Sequence, residues 1–149
     1  MSNTLNTPAE VLETVYPVRV LRYEYRPDTG GAGAYRGGLG LRRDVEVLAD
    51  DVAFSLLADR RRHPPYGLAG GKPGAPGEDY LTRGDADADA ERIPGKSTHD
   101  LHAGDVVSVR TPGGGGFGDP TDRDPEAVAR DLRLGKVSAD AVRREYGLD

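Results

Sequence analysis

The chain has 149 residues, a net charge of −5 and a pI near 5.2, a balance that argues against nucleic-acid binding, which needs a basic face. Apolar residues make up 36% and charged residues 30%, with two Phe, no Trp and one Met beside 21 Gly and 11 Pro. That is a lean core broken by many turns, and it predicts marginal stability for the chain in isolation. The absence of cysteine excludes disulfides and thiolate metal sites.

Residues 1–14 are polar and then briefly amphipathic, with no defined element. Met1-Ser2-Asn3-Thr4-Leu5-Asn6-Thr7 carries neither the basic n-region nor the apolar h-region of a signal peptide, and no later stretch approaches the ~18 apolar residues of a membrane span. A cytoplasmic location without a membrane partner is expected. From Val15 to Arg26, Val18, Val20 and one of Tyr23 or Tyr25 alternate with Arg19, Arg22 and Glu24, the period of a half-buried strand. Pro17 places the strand's start at an edge or outside the ladder. Residues 27–33 form a turn cluster. Leu39, Leu41, Val45, Val47 and Leu48 mark a second strand, and residues 52–58 a further, buried one.

Residues 60–79, rich in Arg, Pro and Gly, predict a long ordered loop. Residues 84–92 predict a solvated acidic loop or a weak strand edge. Leu101, Val106, Val107 and Val109 form a later strand around the tight turn Ala103-Gly104-Asp105, ended by Gly113-Gly114-Gly115-Gly116. Asp124 then caps a helix with Pro125 at its first position and Glu126 in its first turn. Val128 and Leu132 share one of its faces and Gly135 ends it. Ser138 caps a second helix, Val137 and Val142 have the spacing of a hydrophobic staple, and Gly147 stops it after Tyr146. The expected fold is mainly β (α+β): a compact sheet or barrel-like core over 15–112 with long Gly/Pro-rich loops and two short C-terminal helices over 124–147, in one domain spanning 1–149.

Several residues carry candidate chemistry. Gly113, Gly114, Gly115 and Gly116 could present consecutive N–H groups to an anion, or pack where any side chain would clash; they lack the lysine and following helix of a Walker loop. Asp119-Pro120 reads as turn chemistry. Arg36-Gly37-Gly38 offers a fork for a carboxylate or phosphate, or an ion pair with Asp28 or Asp59 that pins the loop. Asp59-Arg60 ends a strand, where sites gather or a structural ion pair forms. Lys96, after Pro94-Gly95, binds an anion or sits in solvent. His63, His99 and His102 fit no zinc pattern. Asp85, Asp87 and Asp89 resemble a calcium loop only superficially, because Ala90 stands where Gly is needed and Lys96 where Glu is needed. No metal site and no Ser/His/Asp or Cys/His set can be assembled.

Six stretches in series carry a resemblance: NTPAEVLE at 6–13, YPVRV at 16–20, GGAGAYRGGLGLRR at 30–43, ADRRRHPPYGLAGGKPG at 58–74, LHAGDVVSVRTPGGGGFGDP at 101–120 and RDPEAVARDLRLGKVSADAVRREYG at 123–147. Together they resemble the C-terminal region of hydantoinase B proteins, whose larger relatives include 5-oxoprolinases and the acetone and acetophenone carboxylases. The resemblance spans nearly the whole chain. It departs at Asp28-Thr29, where Asp-Ser is common, and at Tyr66, where Trp is frequent. Family members are also several times longer, so Met1 falls in what resembles their interior, and most of the substrate and metal site is expected in an N-terminal bulk outside these 149 residues.

The resemblance implies a part of an ATP-dependent hydrolase that opens cyclic amides such as hydantoin or 5-oxoproline. It implies, as partners, the N-terminal portion of the large subunit and a hydantoinase A-like subunit that handles ATP. ATP and a divalent metal belong to the intact assembly, and neither is assigned to this chain, which is expected to be inactive alone. A carboxylase assembly and a non-catalytic interaction module are the alternatives.

Overall fold

The computed structural model describes residues 5–84 and 89–148. After a short helix α1 (Ala9–Val15) come seven strands: β1 (Val18–Arg26), β2 (Gly40–Val47), β3 (Val52–Leu57), β4 (Glu78–Thr82), β5 (Glu91–Ile93), β6 (Lys96–Leu101) and β7 (Val106–Arg110). Two C-terminal helices close the chain: α2 (Pro125–Arg133) and α3 (Ala139–Ala141), which runs on as a π-helical turn Val142–Tyr146. Five strands form an antiparallel sheet in the order β1-β2-β7-β4-β5, and β3 pairs antiparallel with β6 in a second, two-stranded sheet. The fold is mainly β. The large sheet has two edges, β1 and β5, so it stays open and no barrel closes.

The chain changes sheet four times: over residues 48–51 (β2 to β3), over 58–77 (β3 to β4), at Pro94-Gly95 (β5 to β6) and over 102–105 (β6 to β7). These crossings lay the small sheet on the large one. Val47, Leu56, Leu81, Ile93, Leu101 and Val107 fill the space between, with Leu81 and Leu101 each 1% exposed. The second core lies elsewhere: Val128, Val137, Ala141, Val142 and Tyr146 of the C-terminal helices pack with Ala32.

Ala32 belongs to the third structural unit, a glycine-rich layer of three loop segments, 29–40, 65–77 and 111–118. These exchange backbone hydrogen bonds directly. The Gly31 N–H donates to the Gly114 carbonyl (2.8 Å), that of Lys72 to Ala32 (2.7 Å), that of Gly116 to Lys72 (2.9 Å), and Tyr35 and Phe117 donate to each other (2.9 Å each). Gly71, Gly74 and Gly77, like Gly113 and Gly116, recur every third residue, the repeat of a polyproline-II turn.

Several details differ from the sequence-based expectation. The region read as a loop over 60–79 ends in β4, whose alternation of buried Asp79 and Leu81 was masked by a charged residue on the inward face. Leu101 belongs to β6, one strand earlier than Val106, Val107 and Val109. Strand β3 is half-buried, with Leu57 86% exposed. Past a register shift between Val20 and Arg22, both faces of β1 are exposed as far as Tyr25, so neither Tyr23 nor Tyr25 is buried. Helix α1 was not anticipated; its apolar residues Val11 and Val15 are exposed and it buries no residue.

The helix caps agree with the sequence. The Asp124 carboxylate accepts from the Glu126 N–H (2.9 Å), the Ser138 hydroxyl from the Ala141 N–H (3.1 Å), and Gly147 ends the turn at φ +65°. Val137 and Val142 are both buried in the same cluster. The buried face of α2 is different from the one expected: Val128 is 2% exposed but Leu132 is 40% exposed, and Asp131 takes the inner position at 3%.

Candidate functional site

An open cleft of about 990 Å³ lies at the end of β3, lined by residues 58–63, by Glu78 and by Arg92 to Lys96. It brings together three of the residues singled out from sequence, Asp59, Arg60 and Lys96, and adds Arg61, Arg62, His63 and Arg92. Its walls are fixed by backbone. The Ala58 N–H donates to the Gly95 carbonyl (2.6 Å) and the Gly77 N–H to the Arg60 carbonyl (3.1 Å). Arg60 itself sits at φ +60°, a left-handed conformation that a non-glycine residue holds only when its surroundings over-determine it.

Arg61 is the anchor of this wall. Its guanidinium grips Asp79 with two parallel bonds, Nε to Oδ2 at 2.7 Å and Nη2 to Oδ1 at 3.0 Å, and also donates to the Asp59 carbonyl (3.0 Å). Asp79 is 1% exposed and accepts a further bond from the Arg110 N–H (3.2 Å). A Cβ at Gly77 would overlap the Arg61 guanidinium, so this glycine opens the path from the loop to the buried carboxylate. Glu78 is matched as well: Arg26 Nη2 lies at 2.9 Å and the Tyr80 hydroxyl donates to it at 2.8 Å. That hydrogen bond, with burial, pushes the Tyr80 hydroxyl pKa up. Burial pulls the Arg26 pKa down, against the attraction of Glu78.

The remaining charges of the cleft are unequal. Lys96 and Asp59 stand 3.8 Å apart, both exposed. Arg60, Arg62 and Arg92 make no ion pair among the described residues. Arg60 lies over the Tyr66 ring at 6.0 Å.

Arg36, Gly37, Gly38 and Gly113–Gly116 lie in the glycine-rich layer, apart from the cleft. Arg36 Nε donates to Asp131 Oδ2 (2.9 Å) and its Nη1 to the Gly37 carbonyl (2.6 Å). The carboxylate it meets is thus on α2; it is neither Asp28 nor Asp59. Asp131 also receives Arg123 Nη2 at 2.8 Å. Burial pushes the Asp131 carboxyl up, but the two guanidiniums outweigh it and hold its pKa below the usual 3.8. Asp28 tethers the helix linker instead, accepting from the Ser138 N–H (2.7 Å). In the glycine run, the N–H groups of Gly113, Gly114 and Gly116 donate to the Ala75, Gly38 and Lys72 carbonyls. A Cβ at Gly113, Gly115 or Gly116 would overlap the Thr29, Tyr66 or Ala32 carbonyl respectively. Asp119 caps the short 3-10 turn Pro120–Asp122, accepting from the Thr121 N–H at 2.9 Å.

The histidines are dispersed. His63 lines the cleft, His102 Nδ1 lies 3.6 Å from Asp50, and His99 Nε2 lies 2.9 Å from the Ser97 hydroxyl. Because Ser97 Oγ donates its proton to the Pro94 carbonyl (2.9 Å), this pair fixes a turn and leaves no hydroxyl proton for the imidazole to take. Of the acidic run, Asp85 and Asp87 lie outside the described residues. Among the described residues no three His, Cys, Asp or Glu gather at metal-binding distance, and no helix is long and apolar enough to cross a membrane. A divalent metal thus finds no ligand set here, and no step through one is assigned to this chain. Arg61, Asp79 and Asp131 escaped the sequence reading because their partners are 18 and 95 residues away.

Comparison with known proteins places this architecture. The model of the hydantoinase B/oxoprolinase family matches residues 1–120. An uncharacterised protein of Methanocaldococcus jannaschii is 45% identical over 144 residues, 95% of this chain and 24% of that protein. The crystal structure of the ATP-dependent caprolactamase of Pseudomonas jessenii superposes with a TM-score of 0.81 at 31% identity, over 97% of this chain and 26% of the other. The nucleotide-free structure of an acetone carboxylase, an enzyme of ATP-dependent acetone carboxylation, superposes with a TM-score of 0.82 at 25% identity, over 96% and 23%. The chain therefore spans about a quarter of the length of each of these three proteins. It belongs to the hydantoinase B/oxoprolinase family.

Proposed function

We propose that this chain is the C-terminal region of the large subunit of a cytoplasmic hydrolase that opens a cyclic amide such as hydantoin or 5-oxoproline at the expense of ATP. The observation that carries this reading is the likeness to an ATP-dependent caprolactamase over 97% of the chain. The ring is opened only by the assembly: the N-terminal portion of the large subunit supplies most of the substrate site, and a hydantoinase A-like subunit handles ATP. Transfer of the ATP γ-phosphoryl group to the amide oxygen releases ADP and activates the ring; water adds to the carbonyl carbon, the ring C–N bond breaks and phosphate leaves. Within that assembly the domain acts as a rigid block. Arg36, Gly37, Gly38 and Gly113–Gly116 hold its glycine-rich layer, and the cleft at Asp59, Arg60 and Lys96 faces anionic groups.

The test is reconstitution. The chain, the rest of the large subunit and the A-like partner are combined, and ring opening of hydantoin, 5-oxoproline and caprolactam is followed with and without ATP. Hydrolysis that requires ATP and all components is expected; no ATP-dependent product from any of these rings overturns the reading. The likeness to acetone carboxylase supports a second reading, carbon–carbon bond formation. Incorporation of labelled bicarbonate into a ketone, with no ring opening, would select it.

A further inference from the structure

We infer that the cleft between residues 58–63 and Arg92–Lys96 is a binding site for a multivalent oxyanion, a phosphoryl or polycarboxylate group. This holds whichever reaction the assembly runs. The chain carries a net charge of −5, yet Arg60, Arg61, Arg62, Arg92 and Lys96 converge on one cleft whose lining carboxylates, among the described residues, are Asp59 and Glu78. Those carboxylates do not balance the set. Glu78 is already bonded to Arg26 and Tyr80. Asp59 reaches only Lys96, at 3.8 Å, with both side chains more than two-thirds exposed, an arrangement of little energetic weight. Arg61 is committed to Asp79. What remains is Arg60, Arg62 and Arg92, without ion pairs among the described residues, with His63 beside them.

Such a field favours an anion and disfavours neutral or cationic ligands. Guanidinium forks match planar carboxylate and phosphate oxygens in pairs, which narrows the class to oxyanions. The size of the cleft, about 990 Å³, lies at the upper end of small-molecule sites. The backbone bonds from Ala58 to Gly95 and from Gly77 to Arg60, and the left-handed Arg60, keep the two walls in place without a ligand. A surface lysine patch would have no such frame.

The test titrates the full chain, in whatever assembly it purifies with, against pyrophosphate and against citrate by calorimetry at low salt. The unaltered chain is expected to bind one or both saturably. The double variant Arg62→Gln/Arg92→Gln is expected to bind about tenfold more weakly, the scale of losing two solvent-exposed charge pairs. Arg19→Gln, an exposed charge on β1, is expected to leave binding unchanged. Binding of pyrophosphate alone identifies the ligand as phosphoryl, and binding of citrate alone as carboxylate. No saturable binding of either, or equal weakening by Arg19→Gln, overturns the site. A second measurement needs no variant: pyrophosphate or citrate should slow phenylglyoxal modification of Arg60 and Arg62, mapped by mass spectrometry, relative to Arg19. Equal rates with and without the anion overturn the site.

Discussion

Asp131 accepts from Arg36 and Arg123 while only 5% of its side chain meets solvent. Removing the carboxylate strands two guanidiniums whose side chains are 12% and 11% exposed. Arg123 Nε is already buried without a partner among the described residues. Asp131→Ala is therefore expected to cost about 3–5 kcal/mol, the usual penalty for breaking a buried pair, read as a shift in the urea midpoint at unchanged slope. The pH dependence has the corresponding sign. Burial pushes Asp131, Asp105 and Asp44 up, but their hydrogen-bond donors and neighbouring arginines bring all three below 3.8. A depressed folded-state pKa gives stability that is complete above the unfolded value and lost as pH falls through the folded one. Thermal stability should hold to about pH 4 and fall steeply below it, and Asp131→Asn should flatten that fall.

Neighbouring glycines make a sharper test of packing. A Cβ at Gly37 would overlap the Gly114 carbonyl, whereas one at Gly38 meets nothing within 4 Å. Gly37→Ala should prevent folding or cost several kcal/mol, because rigid backbone on both sides cannot yield. Gly38→Ala should be neutral, or stabilise by up to about 1 kcal/mol through the unfolded chain.

At the scale of elements, the C-terminal helices were the most legible, because caps are local chemistry. Asp124, Ser138 and Gly147 each act within a few residues of themselves. Ser138→Ala should cost about 1 kcal/mol in denaturant midpoint, since the Ala141 N–H loses its acceptor. Which side of α2 faces inward was not legible. Val128 and Leu132 advertised an apolar stripe, but Arg36 and Arg123 attract Asp131, and an i, i+3 turn of the helix follows that carboxylate instead. Strand β4 was hidden for the same reason: its buried Asp79 reads as a loop residue until Arg61 is placed beside it. Arg61→Lys should weaken the fold by breaking the two-bond grip while keeping the charge, visible as a lower Tm at neutral pH.

Over the whole molecule, two small apolar cores are joined by a layer held through backbone bonds and close glycine contacts. Each core is lean, so apolar burial must offset roughly 1–2 kcal/mol of backbone entropy per residue with little margin. The isolated chain should melt below ~65 °C by circular dichroism; a sharp cooperative melt above it would show that the glycine layer contributes more than its apolar area indicates.

The sequence alone determined the mainly β class, the strand alternations around Val18, Val45 and Val107, both helix caps and the family, because each rests on periodicity, local hydrogen bonding or ordered motifs. It also marked Arg36, Asp59, Arg60, Lys96 and the glycine run as unusual. Tertiary structure decided what those residues meet: Arg36 reaches a helix 95 residues away, and the glycines accommodate carbonyls from Thr29, Ala32 and Tyr66. Only there do Arg60, Arg62 and Arg92 share a cleft. Charge and spacing along a chain specify what a residue can pair with, but the partner is chosen by which distant segments the sheets bring within about 3 Å.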